Sequence, residues 1–256
     1  MEFLEEIREH KERLLDKKAV PLSVLKEKAA GFHVKGLFNN ALKKSNMGLI
    51  AEIKMSSPSK GEISQYSVRD LAAVYRDTDA DAVSVLTEEK FFKGSIDNIK
   101  TVKSICSKPV LMKDFIISEY QIYEGAAAGA DAVLLIAALL SHTELEDLLG
   151  VCREAGVSAL LEVHSEDELK RCVGLEGLEI VGVNCRNLKT LEIDSSIHTE
   201  AAGMIPPNLV KVAESGIDSA LRVKELGDAG YDAVLVGEAI VASDDPAAKI
   251  RELKGS

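Results

Sequence analysis

The sequence predicts an α/β protein: one (β/α)8 (TIM) barrel preceded by an N-terminal helical extension. Three observations lead there. From residue 49 onward the chain repeats a unit of about 25 residues, the length of one strand plus one helix. The strand-like parts are continuous apolar runs rather than alternating ones, as in parallel strands whose outer face is covered by helices. And a chain of 256 residues suits one barrel without a second domain. An open doubly wound sheet is the competing architecture. It usually carries a glycine-rich phosphate loop after its first strand, and Lys54 to Lys60 is not one.

Residues 1–48 are the expected extension and 49–256 the barrel. In the extension Phe3, Leu4, Ile7, Leu14 and Leu15 fall on one helical face, Pro21 can open a second helix, and Leu37, Phe38, Ala41 and Leu42 suggest a third. Its expected role is to cover an end of the barrel. The first strand is Leu49 to Lys54. Asp81-Ala-Val-Ser-Val, Asp131-Ala-Val-Leu-Leu and Asp232-Ala-Val-Leu-Val then mark strands two, four and eight, the last two after Gly129 and Gly230 at helix ends. Their spacings (131 − 81 = 50 and 232 − 131 = 101) are two and four units. The copies between are Pro109 to Lys113, Ser158 to Glu162, Ile180 to Asn184 and Leu209 to Glu214, which makes eight strands. Helix-like stretches separate them, including 68–76, 96–105, 119–128, 144–155, 166–173 and 219–229.

Composition narrows the function. Hydrophobic residues are 46% and aromatic ones 4%, with no Trp, which fits a Val, Ile, Leu and Ala core. A net charge of −11 argues against nucleic acid, so an anion site must be local. Cys106, Cys152, Cys172 and Cys185 lack C-x-x-C spacing, which speaks against a disulfide framework or zinc site and for a reducing, cytoplasmic setting. The charged start (Glu2, Glu5, Glu6, Arg8, Glu9) is not a signal peptide, and the longest apolar run, Ala132 to Leu140, is too short to span a bilayer.

Catalytic residues of such barrels sit at the C-terminal strand ends. Here these ends are Glu52 and Lys54, Lys113, Glu162, Asn184 and Glu214. Two residues back from each lies Ile50, Leu111, Leu160, Gly182 or Val212, so each polar end shares the inward face with a small or apolar residue. Two lysines and three glutamates on one mouth can shift one another's proton affinity, which lets an acid and a base coexist near neutral pH. Glycines follow the last two strands, in Glu214-Ser215-Gly216-Ile217 and Val236-Gly237-Glu238-Ala239, where barrels commonly bind phosphate. Ser57 could add a hydroxyl. The histidines, 10, 33, 142, 164 and 198, are scattered without metal-ligand spacing and read as structural or surface residues.

Taken together and in order, these motifs resemble the indole-3-glycerol phosphate synthases of tryptophan biosynthesis. The resemblance covers nearly the whole chain. It is carried by Ala51-Glu-Ile-Lys54 with Ser57-Pro-Ser59, Leu86-Thr-Glu88 with Phe91-Phe-Lys-Gly-Ser95, and Leu111-Met-Lys-Asp-Phe115. Leu161-Glu-Val-His164, Gly182-Val-Asn-Cys-Arg-Asn-Leu188 and the two glycine motifs complete it. It implies ring closure, decarboxylation and dehydration of 1-(2-carboxyphenylamino)-1-deoxyribulose 5-phosphate, with no metal or organic cofactor. Lys113 matches the general acid at the ketone and Glu162 the base. Lys54 matches the residue that meets the substrate carboxylate and can act as acid in the dehydration, so which lysine protonates which oxygen stays open.

By the same resemblance Glu52 and Glu214 position the lysines and substrate hydroxyls, with Asn184 as a hydrogen-bond partner. Ser57, Ser215, Gly216 and Gly237 match the phosphate site, Glu238 through its backbone N–H, and Arg186 joins the binding residues. Phe92, Phe115, Pro58 and Leu188 fit an apolar wall for the anthranilate ring. Met55-Ser56 and Cys185 depart from the commonest pattern, which bears on the first loop and on affinity. The loop 55–64 is expected to be a mobile flap over the substrate. The expected partner is a phosphorylated small molecule, not nucleic acid or membrane. A monomer, and association with other enzymes of the pathway, are both compatible. The competing readings are a barrel like phosphoribosylanthranilate isomerase, whose acid–base pair is a cysteine and an aspartate, and a catalytically silent phosphate-binding barrel.

Overall fold

Eight parallel strands form where the apolar runs predict them: β1 (Gly48–Ile53), β2 (Ala82–Leu86), β3 (Val110–Lys113), β4 (Ala132–Ile136), β5 (Ser158–Val163), β6 (Ile180–Asn184), β7 (Val210–Glu214) and β8 (Ala233–Val236). Each pairs with its sequence neighbours and β8 pairs with β1, which closes the barrel. The structure is a computed structural model that describes residues 2–31, 36–43, 47–57, 61–188 and 190–255. His33 lies outside them.

The repeated aspartate that opens β2, β4 and β8 has a structural reason. Asp81 Oδ2 accepts the N–H of Leu49, Asp131 Oδ2 that of Val110, and Asp232 Oδ2 that of Lys211, at 2.8 to 3.0 Å. Each carboxylate therefore satisfies a backbone donor at the start of a neighbouring strand, at the barrel's lower rim. Lys254 and Lys103 neutralise two of the three.

The outer helices are α4 (Val68–Arg76), α5 (Asp97–Ile105), α6 (Glu119–Ala128), α7 (His142–Ala155), α8 (Glu166–Cys172), α9 (Ser196–Ala202), α10 (Ala220–Asp228), α11 (Glu238–Val241) and α12 (Pro246–Lys254), after α1 (Glu2–Leu15), α2 (Leu22–Ala29) and α3 (Leu37–Leu42) of the extension. Local sequence sets their ends. Ser67 with Asp70 and Ser141 with Glu144 close capping boxes on α4 and α7, and Asp245 caps α12 just before Pro246. Gly129 ends α6 at φ 103°, a left-handed conformation that a side chain would resist. No described helix is long and apolar enough to cross a membrane.

The extension covers both ends of the barrel. Phe38 and Leu42 of α3 are fully buried, and Asn39 Nδ2 reaches Glu179, just before β6, at the lower rim. α1 instead lies beside the C-terminal mouth, bound to loops that leave the strands. Arg8 donates to the Leu139 carbonyl and pairs with Glu144, and Lys90 reaches back to Glu6. Lys11 forms a buried ion pair with Asp114 at 2.5 Å, and Asp114 also accepts the Thr87 hydroxyl.

Strand register decides what the mouth contains. It sets Glu52 beside Ser84, Leu86 beside Lys113, Ile136 beside Glu162, Glu162 beside Gly182, and Asn184 beside Glu214. Because paired residues of parallel strands point to the same side, the polar strand ends form one inward layer above the packed interior.

Candidate active site

The centre of that layer is a charge cluster drawn from three strands. Lys113 Nζ stands 2.6 Å from Glu162 Oε2 and 3.0 Å from Glu214 Oε2. Burial alone would lower the lysine's proton affinity, but the carboxylates of Glu162, Glu214 and Glu52 outweigh it and hold the ammonium charged. The two glutamates diverge. Burial raises both, yet Lys113 and His164 pull Glu162 well below the usual carboxylate range. Glu214 meets burial and the Glu162 charge with less cationic help, and its pKa is pushed up to about 8. Two carboxylates sharing one lysine thus part into an ionised group and a protonated one, as like charges at close range must.

Glu52 and Lys54 form a second group beside the first. Lys54 Nζ lies 3.3 Å from Glu52 Oε1, Ser84 Oγ donates to Glu52 Oε2 at 3.2 Å, and the Tyr75 hydroxyl holds the Glu52 carbonyl. Two glycines make room for the carboxylates. A Cβ on Gly182 would stand 2.2 Å from Glu214 Oε1, and one on Gly237 2.5 Å from Glu52 Oε1. Gly237, expected at a phosphate site, therefore also has a packing reason to lack a side chain.

The β6–β7 side is polar and tightly turned. Ser215 Oγ donates to Asn184 Oδ1 at 2.8 Å, and the same oxygen accepts the Arg186 N–H. Ser215 and Gly216 both take left-handed backbone, at φ 67° and 65°. For a serine this is strained, which is a frequent property of binding loops. The Arg186 guanidinium is 3.9 Å from the Glu238 carboxylate, so Glu238 contributes a side chain here as well as its backbone.

The β2–β3 side is apolar. Phe92 and Phe115 lie with ring centroids 6.2 Å apart, and Leu188 faces the same cavity. Leu134, Ile136 and Leu235 also line it. The expected residues of strands and loops thus converge on one cavity: Glu52, Lys54, Lys113, Glu162, Asn184 and Glu214, with Arg186, Ser215 and Glu238 at one side. Gly216 and Gly237 sit in the turns beside it. Pro58 and the Ser57 side chain lie outside the described residues. The ends of the loop between β1 and α4 are a short antiparallel ladder, Ser56–Ser57 against Gly61–Glu62.

Besides these apolar lining residues, three contributors were not in the expected set. Phe3 of α1 lines the cavity, so the extension does more than cover an end. Glu88 is fully buried and accepts the N–H groups of Lys90, Phe91 and Phe92, which folds the loop that carries Phe92. His164, expected to be structural or at the surface, is nearly buried with Nε2 3.1 Å from Glu162 Oε1. Strand alternation contains the signal for His164, since a residue two past Glu162 points to the same side. His198 does match a structural role: its Nε2 lies 3.1 Å from the carbonyls of both Val183 and Glu214, tying β6 to β7.

The family model for indole-3-glycerol phosphate synthase matches residues 4–253. The curated indole-3-glycerol phosphate synthase of Dehalococcoides mccartyi (strain CBDB1) is 46% identical over 217 residues, covering 83% of each chain. That of Mycobacterium sp. (strain KMS) is 44% identical over 214 residues, covering 83% of this chain and 78% of the relative. Among solved structures, 3-hexulose-6-phosphate synthase from Salmonella typhimurium superposes with a TM-score of 0.61 at 20% identity, over 82% of this chain and 97% of that one, a likeness of fold. The chain belongs to the indole-3-glycerol phosphate synthase family.

Proposed function

We propose that this mouth converts 1-(2-carboxyphenylamino)-1-deoxyribulose 5-phosphate to indole-3-glycerol phosphate, with Lys113 as general acid and Glu162 as general base. The observation that carries the assignment is the Lys113 ammonium between an ionised Glu162 and a proton-bearing Glu214. The substrate's aromatic ring lies against Phe92, Phe115 and Leu188, and its phosphate lies at the opposite side, at Ser215, Gly216, Gly237 and Arg186. Lys54 meets the ring carboxylate. This brings the carboxyl-bearing ring carbon and the ketone between them, over the charge cluster, where binding replaces a chance encounter with a fixed one.

Each step follows from a charge that must move. When the ring carbon bonds to the ketone carbon, the ketone oxygen gains negative charge, and Lys113 supplies its proton. The carboxylate then leaves as CO2 and its electron pair returns to the ring. The new hydroxyl departs as water with a proton from an acid in the mouth. Glu162, kept ionised by its neighbours, takes the proton whose loss makes the five-membered ring aromatic. Glu214, protonated near neutrality, donates a hydrogen bond to a substrate hydroxyl, while Glu52 holds Lys54 in place.

The test is direct. Purified protein given the carboxyphenylamino-deoxyribulose phosphate, without added metal, is expected to produce a rise in indole fluorescence. A flat trace from protein shown calorimetrically to bind the substrate would assign a silent binding barrel instead.

A further inference from the structure

Glu162 has a cation on each of its oxygens: Lys113 Nζ at 2.6 Å from Oε2 and His164 Nε2 at 3.1 Å from Oε1. The imidazole of His164 is buried, with 9% of the side chain exposed, between two carboxylates. Behind it is Glu168 of α8, whose Oε2 lies 3.6 Å from Nδ1 and also accepts the His164 backbone N–H at 2.8 Å. Neither ring nitrogen has a well-aligned hydrogen-bond acceptor. Burial opposes the imidazolium, but Glu162 from β5 and Glu168 from α8 outweigh it and raise its pKa to about 9.

The two cations are not equivalent. On the reading above, which this inference rests on, Lys113 gives its proton to the substrate and becomes a neutral amine. Glu162 then loses that attraction while still buried, and burial favours protonation of a carboxylate. It would be neutralised before it was needed as a base. His164 does not line the substrate cavity, and its own proton is held by two carboxylates. We infer that His164 is a positioning residue, the standing counter-ion that keeps Glu162 ionised and aimed into the mouth while Lys113 is without its proton. Glu168 on the far side orients the ring for that task.

The test separates this role from general support of the fold. The carboxyl carbon of Glu162 is titrated by 13C NMR in the full chain as wild type, Lys113→Met, His164→Gln and the double variant. In Lys113→Met, Glu162 is expected to remain ionised at pH 7. Adding His164→Gln raises its midpoint by about one pH unit or more. Equal midpoints in Lys113→Met and the double variant would overturn the inference, as would a Glu162 already protonated at pH 7 in Lys113→Met with His164 present. His164→Asn supports the same comparison if the glutamine variant does not fold. In the otherwise native chain, His164→Gln is expected to lower kcat about tenfold, to change KM little, and to move the acid limb of kcat/KM upward by about one unit. An unmoved acid limb also counts against it. If the wild type turns over no substrate, the reaction assignment fails while the titration still judges His164. Turnover with unchanged titrations removes His164 alone.

Discussion

One lysine decides most of the chemistry in this mouth. Lys113 touches both Glu162 and Glu214, so its replacement removes the proton donor and the cation that the two carboxylates share. Lys113→Ala is therefore expected to lower turnover by about a thousandfold or more, while affinity for a substrate analogue, whose ring and phosphate are held elsewhere, stays within severalfold. Stopped-flow single turnover and calorimetry separate the two, and wild-type rates would take Lys113 out of the mechanism. Gly237 supports a sharper expectation, because an added Cβ would lie 2.5 Å from Glu52 Oε1 and 3.1 Å from Glu52 Cβ. Gly237→Ala must move Glu52 and with it Lys54, costing about tenfold to a hundredfold in kcat without unfolding the chain. If instead the glycine mattered only for anion approach, KM would rise and kcat would hold. The individual site residues were legible because polarity at a strand end is visible in sequence. The side that His164 faces was legible from strand alternation, but its importance was not, because that depends on the Glu162 oxygen left free by Lys113, a fact of three-dimensional arrangement.

At the scale of elements, the strands were legible from continuous apolar runs and the aspartates that recur before them, and those aspartates serve to satisfy an N–H at the start of each neighbouring strand. The place of α1 was not legible. Its apolar face predicts a helix that packs on something, but nothing local in Phe3 to Leu15 says that the something is the mouth. That is set by the buried pair Lys11–Asp114, whose partners are more than a hundred residues apart and whose acid adjoins Lys113. The pair fixes α1, which carries Phe3 over the cavity, while Phe3 and His10 both pack edge-on against Phe91. Lys11→Ala leaves Asp114 buried without its cation, and removing one partner of such a pair costs about 3 kcal/mol. The expected outcome is a lower denaturant midpoint together with a raised KM, while kcat at saturation falls little. A lowered midpoint with unchanged KM would show that α1 stabilises the barrel without serving the substrate.

For the whole molecule, the charge cluster that serves chemistry sets how stability varies with pH. Glu214 binds its proton more tightly when folded, its pKa moving from 4.5 to about 8, and His164 likewise moves from 6.5 to about 9. A group with a raised folded pKa stabilises the fold fully below its unfolded value and loses that contribution as pH climbs through the folded one. Glu214 therefore predicts stability that falls from about pH 4.5 to 8, and His164 stability that falls from about pH 6.5 to 9. Glu162 has the opposite sign: its depressed pKa contributes above 4.5 and is lost on acidification. The net charge of −11 adds self-repulsion as further protons leave. The melting temperature is accordingly expected to peak near pH 5 and to drop by roughly 5 °C or more by pH 9. Glu214→Gln, which carries no titrating proton, should remove the part of that fall that runs from about pH 4.5 to 8 and leave the part that His164 contributes between about pH 6.5 and 9. Calorimetric scans at intervals of half a pH unit read both. Identical profiles for Glu214→Gln and wild type would mean that the second carboxylate is already ionised at neutral pH, and that Lys113 serves two anions at once.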